Sequence, residues 1–154
     1  MEFIVANTRE QIEACKEALF AFRPNLEEDT YVDLILNMIK NEAFSLVYIP
    51  DASGKKAAAF TGFRIQHTLR TGWMIYVDDL YTDPNYRGKG YAGALLDYID
   101  EVAEAQQIQS VNLDSGYALF DAHRLYLKKG YILACHHFAK LSPGLMQVML
   151  ASAN

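Results

Sequence analysis

Tyr76-Val77-Asp78-Asp79-Leu80-Tyr81-Thr82-Asp83-Pro84-Asn85-Tyr86-Arg87-Gly88-Lys89-Gly90-Tyr91-Ala92 is the stretch on which the fold turns. Its first seven residues are rich in β-branched and aromatic side chains and predict the end of a strand that starts near Trp73. Asp83-Pro84-Asn85 stops that strand with turn-forming residues. After the glycines, Leu95, Ile99 and Val102 recur at helical spacing and predict a helix to about Gln106. Its Asp97, Asp100, Glu101 and Glu104 read as a solvated outer face. A helix start offers unpaired amides and a positive dipole end, the two things that bind phosphate. Gly88 and Gly90 let an anion come close to the backbone, and Arg87 and Lys89 add charge beside it. The loop suits a phosphate-bearing cofactor.

Two cofactors compete for it. Gly88-Lys89-Gly90-Tyr91-Ala92-Gly93 spells G-x-G-x-x-G, with Asp114 about 20 residues on, where a dinucleotide fold places its ribose acid. That fold needs several parallel strand–helix units after the loop, and only about 60 residues remain. A nucleotide-binding Walker loop does not occur in the sequence.

Working outward, Thr8-Arg9-Glu10-Gln11 reads as a capping box opening a helix on which Ile12, Cys15, Leu19 and Phe22 recur. Arg23-Pro24-Asn25 ends it. A second helix starts near Asp29 or Thr30, with Leu34, Ile35, Met38 and Ile39 as its apolar side. Phe44 to Ile49 and Ala57 to Ile65 predict an antiparallel hairpin around Asp51-Ala52-Ser53-Gly54. Thr71-Gly72 turns into the strand ending at Thr82. Beyond the glycine loop, Val111-Asn112-Leu113 predicts a short strand and Phe120 to Lys129 a helix closed by Gly130. Tyr131 to Leu141 predicts a final strand. The fold class is therefore α/β, with a mixed sheet that is antiparallel first, then parallel across one helix.

The chain of 154 residues, 51% hydrophobic and 21% charged, suits one domain over residues 1–154. Neither a signal peptide nor a bilayer-length apolar run is legible, so a cytoplasmic protein without membrane attachment is expected. The net charge of −5 speaks against nucleic acid and is compatible with a cationic partner. Cys15 and Cys135 read as free thiols. His67, His123, His136 and His137 show no zinc spacing, and no metal is expected. On a strand, His136 and His137 would face opposite ways.

Three motifs in order resemble the GNAT superfamily of N-acetyltransferases. Arg87-x-x-Gly90-x-Ala92 is similar to its Gln/Arg-x-x-Gly-x-Gly/Ala signature, Asp78-Asp79-Leu80-Tyr81-Thr82 to its "EDL-x-V" strand, and Ala122 to Tyr131 to its "A-x-x-x-Y-x-x-x-G-F" helix. The resemblance is dense from Trp73 to Leu141; the first 70 or so residues agree in element order alone. It implies the GNAT fold, with a central mixed sheet flanked by helices, and acetyl-CoA as co-substrate. It implies coenzyme contacts at Leu80, Tyr81 and Thr82 and along Arg87, Gly88, Lys89, Gly90, Tyr91 and Ala92. Leu119 stands where many relatives carry an Asn that bonds the pantetheine arm.

The implied reaction moves an acetyl group directly to a primary amine in a ternary complex. Such an amine titrates near 10, so a base or a water chain should help at pH 7. By resemblance Asp78 is that base, with Asp79, on the opposite strand face, as the alternate. Tyr126 is the implied general acid for the departing thiolate, and the backbone at Leu80 the implied oxyanion donor. No G-x-S-x-G elbow exists to suggest an acyl-enzyme. The acceptor stays open among polyamines, aminoglycosides, lysine side chains and peptide N-termini, with Glu27-Glu28-Asp29 as a candidate attractor of cations. A non-catalytic acetyl-CoA sensor of the same fold is the other reading, and a homodimer through an exposed sheet edge stays open.

Overall fold

A computed structural model describes residues 1–145. Five strands, β1 (Ile4–Val5), β2 (Phe44–Pro50), β3 (Ala57–Thr68), β4 (Gly72–Thr82) and β5 (Ser110–Leu113), form one sheet in the order β1-β2-β3-β4-β5. The first four are antiparallel; β5 joins β4 in parallel. A right-handed parallel connection needs a crossover element, and α4 (Tyr91–Ala105) supplies it. This sheet contradicts the dinucleotide reading, because one parallel strand follows the glycine loop where a doubly wound fold needs several.

The helices cover both faces. On one lie α1 (Arg9–Ala14), α2 (Lys16–Phe22) and α3 (Tyr31–Asn41). Thr8 and Gln11 form the expected reciprocal capping box, and Cys15 joins α1 to α2. Ile12, Leu19, Tyr31, Val32 and Ile35 pack there against Phe44, Leu46, Tyr48 and Phe60. Leu34, expected inside, is exposed: the buried stripe runs through Tyr31, Val32 and Ile35, one helical step away from it. On the other face Leu95, Leu96, Ile99 and Ala103 of α4 pack on Val47, Phe63, Ile75 and Val77. Leu125 and Tyr126 of α5 (Phe120–Lys128) join that cluster from its rim.

Two expectations change. The two-residue β1 was not foreseen; it is too short to show a period. Tyr131 to Leu141 forms no strand. The segment holds one β-branched residue, Ile132, and its apolar residues run consecutively instead of alternating. It follows Gly130 (φ 86°) as irregular chain, with Ile132, Leu133 and Phe138 exposed.

Cys15 is buried and Cys135 exposed, both free. Burial pushes the Cys15 thiol from its ordinary 9.0 up to about 12. The folded chain therefore loses stability as pH climbs from about 9 towards 12, where the unfolded thiol ionises and the native one resists. At neutral pH a thiol reagent should modify Cys135 in the native protein and both cysteines only after denaturation. Prompt reaction at two thiols would contradict this packing.

Candidate active site

The site grows from a fault in the β3–β4 ladder. Gly62 pairs with Asp79, but Phe63 pairs with Val77, so Asp78 is the extra residue of a β-bulge. Strict alternation expects Asp78 and Asp79 on opposite faces; the bulge overrides it. Ile75 and Val77 pack with α4, whereas beyond the bulge Leu80 takes that side and Tyr81 joins the α1–α3 core. Both carboxylates reach arginines on the α1–α3 side. Asp79 accepts from Arg23 Nε at 2.7 Å, just past the end of α2, with Nη2 in ion-pair contact at 2.5 Å and donating to the Asp78 carbonyl at 3.2 Å. Asp78 accepts from Arg64 Nε at 2.7 Å, and Arg64 Nη1 also donates to Glu42 at 2.7 Å. Burial pushes the Asp79 carboxyl up, against the pull of Arg23.

Gly62 makes room for this arrangement. A Cβ there would lie 2.7 Å from the Phe44 ring and 3.1 Å from Asp79 Oδ2. The sequence offered no sign of the need.

β4 and β5 run together from Met74↔Ser110 to Val77↔Leu113 and then part. From Asp78 to Thr82, β4 continues with β3 as its one ladder partner among the described residues. The β5-side edge of β4 at Leu80 is therefore without a strand partner among the described residues. A 3-10 turn, Pro84–Tyr86, capped by Asp83, carries the chain from β4 to the glycine loop. Gly88 (φ 73°) and Gly90 (φ 84°) are both left-handed, which glycine adopts without strain. Gly90 caps α4 without a side-chain bond, and the first intrahelical bond is Ala94 N–H to Gly90 O, 2.9 Å. The amides of Tyr91, Ala92 and Gly93 thus lack intrahelical acceptors.

The loop fits a pyrophosphate. The space a Cβ would take at Gly88 and Gly90 is open to 4 Å. Arg87 Nε bonds Thr82 O (3.3 Å), and Lys89 Nζ bonds Asn85 O (3.2 Å), so both cations are gathered at the loop. Tyr91 packs edge-on to Tyr86 and Tyr81 against Phe22 and Phe60, which fixes the walls.

Tyr126 sits half-buried on α5, its ring 5.8 Å from that of Tyr131. Burial raises its phenol above the ordinary tyrosine value. Leu119, at the head of α5, is exposed and offers no polar atom on its side chain. Glu28 of the acidic segment is paired with Lys16, which leaves it poorly placed to attract a distant cation. A shallow cleft of about 380 Å³ lies beside that pair, lined by Arg9, Glu13, Lys16, Glu28, Asp29, Tyr31 and Val32, away from the strand splay.

Sequence reasoning missed one cluster. Tyr76 donates its hydroxyl hydrogen to Asp114 Oδ2, and His137 Nδ1 lies 3.0 Å from the same oxygen. Asp114 follows the last residue of β5, so the three meet where the strands part. Their separation in sequence, 38 residues between Tyr76 and Asp114, hides them from any local pattern. Among the described residues there is no helix long and apolar enough to cross a membrane and no His/Cys/Asp/Glu group able to hold a metal.

Comparison with known proteins agrees with this geometry. Residues 12–131 match the model of the acetyltransferase (GNAT) family. An uncharacterized N-acetyltransferase of Bacillus subtilis (strain 168), YhdJ, is 29% identical over 119 residues, 77% of this chain and 82% of that protein. Two solved structures share the fold at 17% identity. A ribosomal-protein-alanine N-acetyltransferase from Brucella melitensis biovar Abortus 2308 superposes with a TM-score of 0.76, covering 92% of this chain and 100% of its own. Glucosamine-6-phosphate N-acetyltransferase from Arabidopsis thaliana gives 0.71, covering 92% and 99%. The family model covers more than three quarters of the sequence and the fold is shared with solved acetyltransferases, so the chain belongs to the GNAT family.

Proposed function

We propose that the protein transfers the acetyl group of acetyl-CoA directly to a primary amine, with both substrates bound together. The observation that carries this reading is the uncapped start of α4 after the left-handed Gly88 and Gly90, which follows the end of β4 that β5 leaves unpaired. In it, Arg87, Gly88, Lys89, Gly90, Tyr91 and Ala92 hold the pyrophosphate, and Leu80, Tyr81 and Thr82 border the pantetheine arm. Acetyl-CoA supplies an activated thioester. The Leu80 amide stabilises the oxyanion. Tyr126 protonates the departing thiolate, a transfer that its raised phenol pKa does not prevent, because the thiolate is generated at the site. Asp78 and Asp79 are the strand's own candidates for the base, and either must first release its arginine. With Leu119 apolar, the pantetheine amides are left to backbone partners.

The acceptor enters from the α1–α3 side, where Glu42, Asp78, Asp79 and Asp114 outnumber Arg23 and Arg64. That balance favours a cationic amine. Calorimetry should show binding of acetyl-CoA and none of NAD. Thiol release should then appear with at least one of spermidine, an aminoglycoside, glucosamine 6-phosphate or a peptide beginning with alanine. Binding of acetyl-CoA with no thiol release from any of them would favour a sensor; binding of NAD alone would overturn the assignment.

A further inference from the structure

We propose that His137, oriented by Asp114 and Tyr76, is the base that takes the first proton from the acceptor ammonium; this deepens the acetyltransferase reading and rests on it. The starting observation is the three-residue cluster at the point where β4 and β5 part. Asp114 Oδ2 receives the Tyr76 O–H and faces His137 Nδ1 at 3.0 Å. The Asp114 carboxylate beside Nδ1 favours the tautomer with hydrogen on that nitrogen and leaves Nε2 as the acceptor. Among the described residues Nε2 has no hydrogen-bond partner, and the His137 side chain is 63% exposed, so an incoming ammonium can reach it.

The neighbouring groups favour this role. Tyr76 pairs with Arg64 across the β3–β4 ladder, which puts it next to the Arg64–Asp78 ion pair. Burial first, then the hydrogen bond to Asp114 and the nearby Asp78 and Cys135, hold the Tyr76 phenol above its ordinary pKa, so it stays a donor and does not compete for protons. The titratable groups around His137 are therefore Asp114 and Tyr76 at the strand splay, Asp78 beyond them on β4, and Cys135 and His136 on its own segment. Asp78 and Asp79 already hold guanidinium groups; the exposed Nε2 has nothing to give up first.

The balance is simple. The ammonium gives one proton to Nε2, which later returns it to solvent. The neutral amine attacks the thioester carbonyl, the C–N bond forms and the C–S bond breaks. Tyr126 protonates the departing thiolate, and the second amine proton, lost as the amide forms, returns to the Tyr126 phenolate and restores it. One amide, one thiol and one released proton result.

The test is the pH dependence of kcat/KM on the best amine of the four named above. With His137 as base, wild-type kcat/KM levels off well below the pH at which the amine itself loses its proton, about 10. In His137→Gln the amine must arrive already neutral, so the rate should keep climbing towards the amine's own value, about 10. At pH 7 the variant should be down roughly 10²-fold, while acetyl-CoA binding by calorimetry is unchanged. Asp114→Asn should lower kcat in the same direction, and added imidazole should restore part of the rate to His137→Ala. The exposure of His137 keeps these variants foldable. An active wild type whose His137→Gln variant keeps both rate and plateau would overturn this inference and leave the acetyltransferase reading standing. A wild type that binds acetyl-CoA yet releases no thiol would overturn both.

Discussion

Tyr126→Phe should lower turnover by roughly 10²-fold while acetyl-CoA affinity stays the same. The change removes a hydroxyl and almost no volume. The glycine loop that holds the pyrophosphate lies on another element, so binding has no reason to move. Burial raises the Tyr126 phenol, so the wild-type rate should hold past pH 10 and fall only as the phenol finally ionises; the variant should lack that fall. Steady-state rates and a coenzyme titration on one preparation separate the outcomes. A rate within a few-fold of wild type would reduce Tyr126 to a packing residue. Rate and affinity falling together would make it a holder of the coenzyme and not an acid.

Phe60→Ala should cost about 3–5 kcal/mol of stability, out of a total of about 5–15 for a domain of this kind. Phe60 is fully buried in the middle of β3, and its ring meets those of Phe22 (6.1 Å) and Tyr81 (5.9 Å). Removing it leaves a cavity between the sheet and α2 that rigid neighbours cannot close. Tyr81 loses its support at the same time, so coenzyme affinity should drop along with the melting temperature. Thermal unfolding followed by circular dichroism measures the first effect. A loss under about 1 kcal/mol would mean that the core re-closes around the gap.

Sequence patterns revealed the elements whose causes are local. The capping box at Thr8, the turn at Asp51 to Gly54 and the glycine loop each depend on residues within a few positions of one another. Leu34 misled because it lies at the edge of the apolar stripe on α3, where one helical step decides exposure. Tyr131 to Leu141 misled because apolar content was taken for alternation. The bulge at Asp78 is a property of two strands, settled by Gly62 on one and the Phe44 ring beside it, and neither carries a mark at Asp78 itself. The arginines that hold Asp78 and Asp79 come from 14 and 56 residues away. The Tyr76–Asp114–His137 cluster joins three segments that only the folded sheet brings together. The glycine loop at the start of α4 was therefore legible, and the partners that hold the strand acids were not.

The sheet order β1-β2-β3-β4-β5 follows the order of the chain, and this has a kinetic consequence. The antiparallel meander β2–β3–β4 closes loops of a few residues, which cost little entropy and form early. β5 can dock only after the whole of α4 has been made and laid across the sheet, and it contributes four residue pairs when it does. The β4–β5 seam thus assembles after the meander and is held by fewer residue pairs than either of the meander's ladders. Partial opening at β5 leaves the meander and its α1–α3 core standing. Mild stress should then open the edge at β5 before it unfolds the meander, because that edge is joined late and by few pairs.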